Sequence, residues 1–308
     1  MRILITGGCG FIGSHLVEHF QGRGDVRVLD NLSSGFRDNL RGMGCELIEG
    51  SVLDRERVRA AMRGVDYVFH LAAMVSVAES MEKPVECEET NVTGTLIALE
   101  EAARAGVKKL GFSSSAAVYG NYPVVPKREE MNPEPASPYA ISKLAGEYYC
   151  GLFTGTGRLA TVAFRYFNVF GPRQNPAGAY AAAIPIFIHR ALGNEPIVIH
   201  GDGGQTRDFI SVRDVARASA LLVTESSITG VINVARGGSI SIRDLAARIV
   251  RLTGSRSEIV HGPERPGDVR HSTAGTEKLA AAGFVARVDF ETALRETIES
   301  CKTTPGRG

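Results

Sequence analysis

The chain has 308 residues, and its 35 Lys and Arg against 34 Asp and Glu leave a formal net charge of +1. A chain of that length buries about three quarters of its unfolded surface as one large domain or two joined ones, and without a basic run it offers no electrostatic surface for nucleic acid. Cys9, Cys45, Cys87, Cys150 and Cys301 form no C-x-x-C pair, and no segment approaches the ~20 apolar residues of a membrane span, so neither a disulfide framework, a zinc knuckle nor a membrane anchor is expected. The opening "MRILITGG" is too short in apolar residues for a signal peptide, and a soluble, unprocessed protein of the reducing cytoplasm is expected.

In chain order, "RILIT", "VRVLD", "CELIE", "DYVFHL", "KLGFSS" and "ATVAFR" read as short β-branched strands. Between them "FIGSHLVEHF", "DRERVRAAMRG" and "NVTGTLIALEEAARAG" carry apolar residues at helical spacing. This alternation predicts an α/β fold: a doubly wound, Rossmann-like parallel sheet with helices on both faces. From Asn168 the loop "NVFGPRQNPAGAY" leaves the sheet. We place a domain boundary there, with 1–168 binding a dinucleotide and 169–308 forming a smaller C-terminal α/β substrate domain, the sheet being completed by segments near 206–236. That second half reads as a helix at "IPIFIHRAL", strands "PIVIH" and "DFISV", a helix from Arg213, a strand "GVINVA" and a helix capped by Ser241 with Asp244 three residues on. The tail "KTTPGRG" carries no structural pattern.

"ITGGCGFIG" follows the first strand and opens the first helix, the context a glycine-rich phosphate loop requires. Gly7, Gly10 and Gly13, or Gly8, Gly10 and Gly13, let backbone approach a pyrophosphate at a helix N-terminus. Asp30 ends the second strand 20 positions past Gly10, where a carboxylate binds the adenine ribose hydroxyls and repels a 2′-phosphate, so NAD is expected over NADP. The same helix holds His15, Glu18 and His19 in an H-x-x-E-H pattern, but it must pack on the sheet and no metal site is expected.

In "SPYAISK", Tyr139 and Lys143 stand at i and i+4 on one helix face. A tyrosine with its ordinary pKa of about 10 is protonated at neutral pH, and a neighbouring ammonium makes its phenolate a usable base. Ser115, at the carboxyl end of its strand, is placed to hold a substrate oxygen in line with Tyr139.

With these residues in place the chain resembles the extended short-chain dehydrogenase/reductase family, particularly its UDP-sugar 4-epimerases. "TGGCGFIGSHL", "DNLSSG", "FHLAA", "SSSAAVYG", "SPYAISK", "FRYFNVFGPR", "GDGGQTRDFISVRD" and "RPGD" appear in the family's order over nearly the whole chain. The resemblance implies that Ser115, Tyr139 and Lys143 are catalytic. It places Gly7, Gly10, Phe11, Ile12, Gly13, Asp30, Asn31, Ser51, Val52, Leu71, Ala72, Ala73 and Asn91 around NAD, together with Tyr139 and Lys143. For a UDP-sugar it implies Ser115, Tyr139, Asn168, Ala182, Ala183, Val198, His200, Arg207, Arg265 and Asp268, with Ser272 as a gate beside the C2 substituent. Arg207 and Arg265 suit a diphosphate, and Asp268 suits ribose hydroxyls. The family resemblance also implies a homodimer, made by the helices near 91–106 and 138–153.

Related dehydratases and decarboxylases typically carry acids just after the hydroxyl residue, whereas this chain has Ala116 and Ala117. Alanine moves no proton, so chemistry is expected to stop at oxidation and reduction of C4 of a UDP-hexose such as UDP-glucose or its N-acetylated counterpart. Ser51 stands where many relatives have Asp, Val75 replaces a lysine of some longer epimerases, and His200 occupies a place often held by Tyr or Phe. The alternatives are an epimerase or oxidoreductase for another nucleotide sugar such as UDP-glucuronate, and an NAD-binding protein without catalysis.

Overall fold

The computed structural model describes residues 1–175, 183–264 and 270–303. Its first part runs β1 (Arg2–Thr6), α1 (Phe11–His19), β2 (Asp25–Asp30), β3 (Glu46–Glu49), α2 (Arg55–Ala61), β4 (Tyr67–His70), α3 (Val77–Glu82), α4 (Pro84–Glu88), α5 (Gly94–Arg104), β5 (Lys109–Ser115), α6 (Pro138–Gly155) and β6 (Ala160–Tyr166). The remainder runs β7 (Asn168–Phe170), α7 (Ala183–Leu192), β8 (Ile197–His200), β9 (Thr206–Arg207), β10 (Phe209–Ser211), α8 (Val212–Ala220), β11 (Gly230–Val234), β12 (Ile240–Ser241), α9 (Ile242–Thr253), β13 (Ile259–Gly262), β14 (His271–Ser272), α10 (Glu277–Ala281) and α11 (Phe290–Thr303).

Seven parallel strands form one sheet in the order β11-β6-β5-β4-β1-β2-β3. Successive strand residues face opposite sides, so both faces need apolar cover. Ile3 and Ile5 join Leu16, Val17, Phe20 and Val215 under α1 and α8, whereas Leu4 joins Val58, Ile97, Leu99 and Phe153 under α2, α5 and α6. Each such side chain contributes about 1.5–3 kcal/mol on burial. A separate core of Ile184, Phe187, Ile188, Leu245, Ile249, Leu294 and Ile298 holds α7, α9 and α11 together.

The segments near 206–236 divide in the structure. β11 extends the large sheet beside β6, pairing Asn233 with Arg165, while β10 pairs with β7, and β9 lies between β12 and β14. The strand read at "DFISV" is β10, and a further short strand, β9, precedes it across Asp208. Ser241 caps α9 by accepting from the Asp244 amide at 3.0 Å, as its sequence pattern predicts.

Candidate active site

The glycine loop joins β1 to α1 at the carboxyl edge of the sheet. Gly7 adopts φ +71°, and a Cβ on Gly13 would stand 2.2 Å from the Gly7 carbonyl oxygen and 2.7 Å from the Gly8 Cα, closer than atoms can approach. The helix that begins after Gly10 has neither a side-chain cap nor an acid in its first turn, so its first amides, at Phe11, Ile12 and Gly13, are left for an anion. Asp30 is nearly buried, and its carboxylate accepts from the Cys9 amide at 2.9 Å and the Leu32 amide at 2.8 Å, which fixes it against this loop with lone pairs to spare. Asn31 turns its side chain to the Ser33 amide and hydroxyl. Cradle, open helix end and acidic strand end together fit a dinucleotide.

Ser51 and Val52 follow β3, the Ser51 hydroxyl accepting from the Leu53 amide at 3.1 Å. Leu71, Ala72 and Ala73 follow β4, the first two donating their amides toward Thr6 Oγ1 at 3.2 and 3.3 Å. Asn91 also joins two elements of the chain. Its side-chain oxygen accepts from the Met74 amide at 2.7 Å, and its nitrogen donates to the Met74 carbonyl at 3.0 Å and the Ser142 hydroxyl at 2.9 Å. Asn91 thus ties the loop after β4 to α6.

β5 ends in Ser113, Ser114 and Ser115, and each contacts α6 differently. The Ser113 carbonyl accepts from Lys143 Nζ at 2.8 Å, the Ser114 hydroxyl donates to Glu147 at 2.5 Å, and the Ser115 hydroxyl, which accepts from the Ala117 amide at 3.1 Å, lies within reach of Tyr139. Tyr139, Lys143 and Glu147, at i, i+4 and i+8, therefore make one face of α6. Gly146 allows the approach, because a Cβ there would stand 2.3 Å from the Phe112 ring. Ser137 caps the helix through the Ala140 amide and Pro138 opens it.

Burial pushes the Lys143 ammonium down to about 8 and raises the Tyr139 phenol, the Ser115 hydrogen bond opposing the latter. Both charged forms are disfavoured by desolvation, and Lys143 Nζ stands 5.7 Å from the Tyr139 ring centroid, where an ammonium favours a phenolate. Behind them the buried His70 lies between Thr6 Oγ1 at 2.8 Å and Thr95 Oγ1 at 3.0 Å, and burial lowers its pKa to about 3.

Tyr166 pairs with Ser115, so Asn168 emerges next to the end of β5. Asn168 donates its side chain to the Asp208 carbonyl at 3.1 Å, and Ser272 lies opposite Arg207 in the small sheet, its carbonyl accepting from the Asp208 amide at 2.9 Å. The structure thus brings Asn168, Arg207 and Ser272 together beyond the edge of the large sheet. Ala183 begins α7. Val198 and His200 lie on β8, Val198 exposed and His200 half-buried against the Pro263 carbonyl at 3.1 Å. Ala182, Arg265 and Asp268 lie outside the described residues.

Two residues escaped the sequence reading. Asp208 is fully buried and accepts from the amides of Arg236 at 3.1 Å, Gly237 at 3.0 Å and Ala274 at 3.3 Å. Burial pushes its carboxyl up to about 6, opposed by these amides, so it is ionised at neutral pH. A lone acid just ahead of the apolar pair Phe209 and Ile210 in "TRDFIS" was the available signal. Glu147, buried with Arg165 at 2.7 Å, was signalled only by completing the face of Tyr139 and Lys143.

The H-x-x-E-H pattern is a clamp. His15 Nε2 meets the Pro172 carbonyl at 2.9 Å and Nδ1 meets Arg173 at 2.6 Å, while Arg173 also pairs with Glu18. Burial lowers the His15 pKa, and Glu18 is held at about 2 by its hydrogen bond to His15, with Arg173 assisting. Among the described residues no group of three or more His, Cys, Asp or Glu could hold a metal ion, and no helix is long and apolar enough to cross a membrane.

Fold and site together define a dinucleotide-binding α/β protein with a Ser, Tyr and Lys constellation at the carboxyl edge of its sheet. Residues 3–235 match the NAD dependent epimerase/dehydratase family, and the chain belongs to it. The UDP-N-acetylglucosamine 4-epimerase of Methanobrevibacter ruminantium, solved with UDP-N-acetylmuramic acid, is 41% identical with a TM-score of 0.95 over 98% of each chain. The UDP-glucose 4-epimerase of Thermus thermophilus, solved with NAD, is 39% identical with a TM-score of 0.90 over 98% of this chain and 99% of that one. A UDP-N-acetyl-alpha-D-glucosaminuronate decarboxylase of Bacillus cytotoxicus is 36% identical over 97% of each chain.

Proposed function

We propose that this protein is an NAD-dependent UDP-hexose 4-epimerase that interconverts UDP-glucose with UDP-galactose and also accepts the N-acetylated pair. Overall similarity does not choose the reaction, since an epimerase and a decarboxylase resemble the chain almost equally. The carrying observation is the pair Ala116 and Ala117, which open the turn after Ser115 and whose side chains can move no proton at carbons beyond C4.

NAD, when bound, supplies the hydride acceptor and donor at C4. Gly7, Gly10 and Gly13 admit its pyrophosphate to the amides of Phe11 and Ile12. Asp30 takes the adenine ribose, with Asn31, Ser51, Val52 and Leu71 to Ala73 lining the rest. Asn91 holds the loop after β4 in place. Ser115 orients the sugar's 4-hydroxyl, and Tyr139 accepts its proton at the phenol oxygen while Lys143 stabilises the phenolate. Tyr139 returns that proton after the 4-keto sugar has turned. Arg207 and Arg265 hold the diphosphate, Asp268 the ribose, His200 and Val198 flank the base, and Asn168, Ala182 and Ala183 border the sugar, with room beside Ser272 for an N-acetyl group. In this reading 1–168 with β11 is the cofactor domain, and most of 169–308 is the substrate domain.

A homodimer is part of the same reading. Its support is an exposed apolar stripe of Ile141, Tyr148 and Leu152 on α6, continued by Val77 and Met81 on α3 and Val85 on α4. On α5, Ile97 and Leu99 are buried against the sheet while Leu96 is partly exposed, and the contact is assigned to the helices near 91–106 and 138–153 with α3 and α4 beside them. We place the protein in the cytoplasm, in keeping with its unpaired cysteines.

The test is incubation of purified protein with UDP-glucose, UDP-N-acetylglucosamine and UDP-glucuronate without added reductant, followed by chromatography. Conversion of the first two to their C4 epimers without net NADH supports the proposal. Release of CO2 or water from the sugar, or stoichiometric NADH, would overturn it. Cofactor extracted from the denatured protein should be NAD and not NADP.

A further inference from the structure

Behind the site runs a buried chain of polar groups with partners throughout. Glu147 receives the Ser114 hydroxyl at 2.5 Å and grips Arg165 through two bonds of 2.9 and 2.7 Å. The Arg165 guanidinium lies 4.6 Å from the centroid of the Tyr119 ring, and the Tyr119 hydroxyl donates to Asn233 at 2.7 Å. The Asn233 side-chain nitrogen donates to the carbonyls of Lys127 at 2.9 Å and Gly275 at 3.1 Å. Lys127 closes the line, its amide donating to the Thr273 carbonyl at 2.7 Å and its carbonyl accepting from the Gly275 amide at 2.8 Å. One end of this chain is the residue before Ser115, and the other is the segment that follows Ser272.

We propose that Glu147 is a positioning residue for the reaction. It fixes the end of β5 against α6 so that Ser115 and Tyr139 meet, and through Arg165, Tyr119 and Asn233 it holds 273–275 on the substrate side in register with them. The inference rests on Ser115, Tyr139 and Lys143 being the reacting groups. Its physical basis is that stability alone does not require such a chain. A buried ion pair often gives way to apolar packing without loss, whereas a directional network selects one arrangement of the elements it joins. Ser114 and Ser115 point to opposite faces of β5, so anchoring the first decides where the second is aimed.

The experiment compares wild type, Ser114→Ala, Glu147→Gln and Tyr139→Phe, each loaded with NAD. UDP-glucose and UDP-N-acetylglucosamine are the assayed sugars, and amide hydrogen exchange is read over 113–120 and 272–275. Ser114→Ala removes one hydroxyl and leaves the ion pair, so it tests the idea even if Glu147→Gln folds poorly. It should lower kcat roughly tenfold, with KM within about twofold, because small misplacements of reacting groups cost rate more than binding. Exchange should quicken over 113–120 in both variants, and in Glu147→Gln also over 272–275, which Glu147 does not touch. Wild-type kcat in Ser114→Ala, or unchanged exchange over 272–275 in a folded Glu147→Gln, would overturn the proposal while leaving the reaction itself intact if Tyr139→Phe is inactive. An active Tyr139→Phe would overturn both readings.

Discussion

The two sides of the site are built by opposite means. On the cofactor side, backbone shape within a few consecutive residues makes the cradle, from Gly7 to Gly13, and a single carboxylate, Asp30, closes it. On the substrate side the same edge is assembled from Asn168, β9, β12 and β14, strands of two or three residues from distant parts of the chain that meet around Asp208. The first keeps its shape through close backbone packing at Gly13 and the bond from the Cys9 amide to Asp30. The second is rigid because one buried charge satisfies amides from 236, 237 and 274 at once.

The strongest way to break the cofactor side is Gly13→Ala. With its Cβ 2.2 Å from a backbone oxygen, the loop must open at a cost of about 3 kcal/mol or more, and retained NAD, measured after denaturation, should fall by at least tenfold while the substrate side is spared. Asp208→Asn is the counterpart. An amide sets an NH2 against backbone N–H donors, so we expect a loss of about 2–3 kcal/mol in denaturant unfolding and a raised KM for UDP-sugar, with NAD retention unchanged. Equal damage to both ligands by either variant would mean that the two sides are not separable.

A pH series sharpens the contrast. His70 is neutral in the folded site, with its pKa lowered to about 3 from 6.5, so below pH 6.5 the unfolded chain takes up a proton that the folded one refuses. Its contribution to stability is present above pH 6.5 and is lost as pH falls toward 3, by up to about 1.4 kcal/mol per pH unit. Asp208 acts in the reverse sense between 3.8 and about 6, where the folded state holds the extra proton and stability falls as pH rises. Unfolding of His70→Gln measured against wild type isolates the first slope, and the variant should lose less stability on acidification. The most localised expected effect is Ser272→Tyr, whose added ring should lower conversion of UDP-N-acetylglucosamine and leave UDP-glucose turnover nearly unchanged in a chromatographic assay. Loss of both would remove Ser272 as a gate.

Much of the molecule was written locally. The alternation of strands and helices, the glycine spacing ahead of α1, Asp30 at the end of β2 and the i, i+4 spacing of Tyr139 and Lys143 follow from periodicity and chain stiffness, which act over a few residues and are legible without a partner. Tertiary structure decided what needed a distant partner. It placed β11 beside β6, set β9 and β10 in different sheets on either side of Asp208, bonded Asn91 to Met74 and Ser142, and joined Ser114 to Glu147 and Arg165. The reason is that a polar side chain's role is set by which donors and acceptors are buried with it. That pairing is fixed only when the sheet closes and water leaves, a step no window of sequence contains.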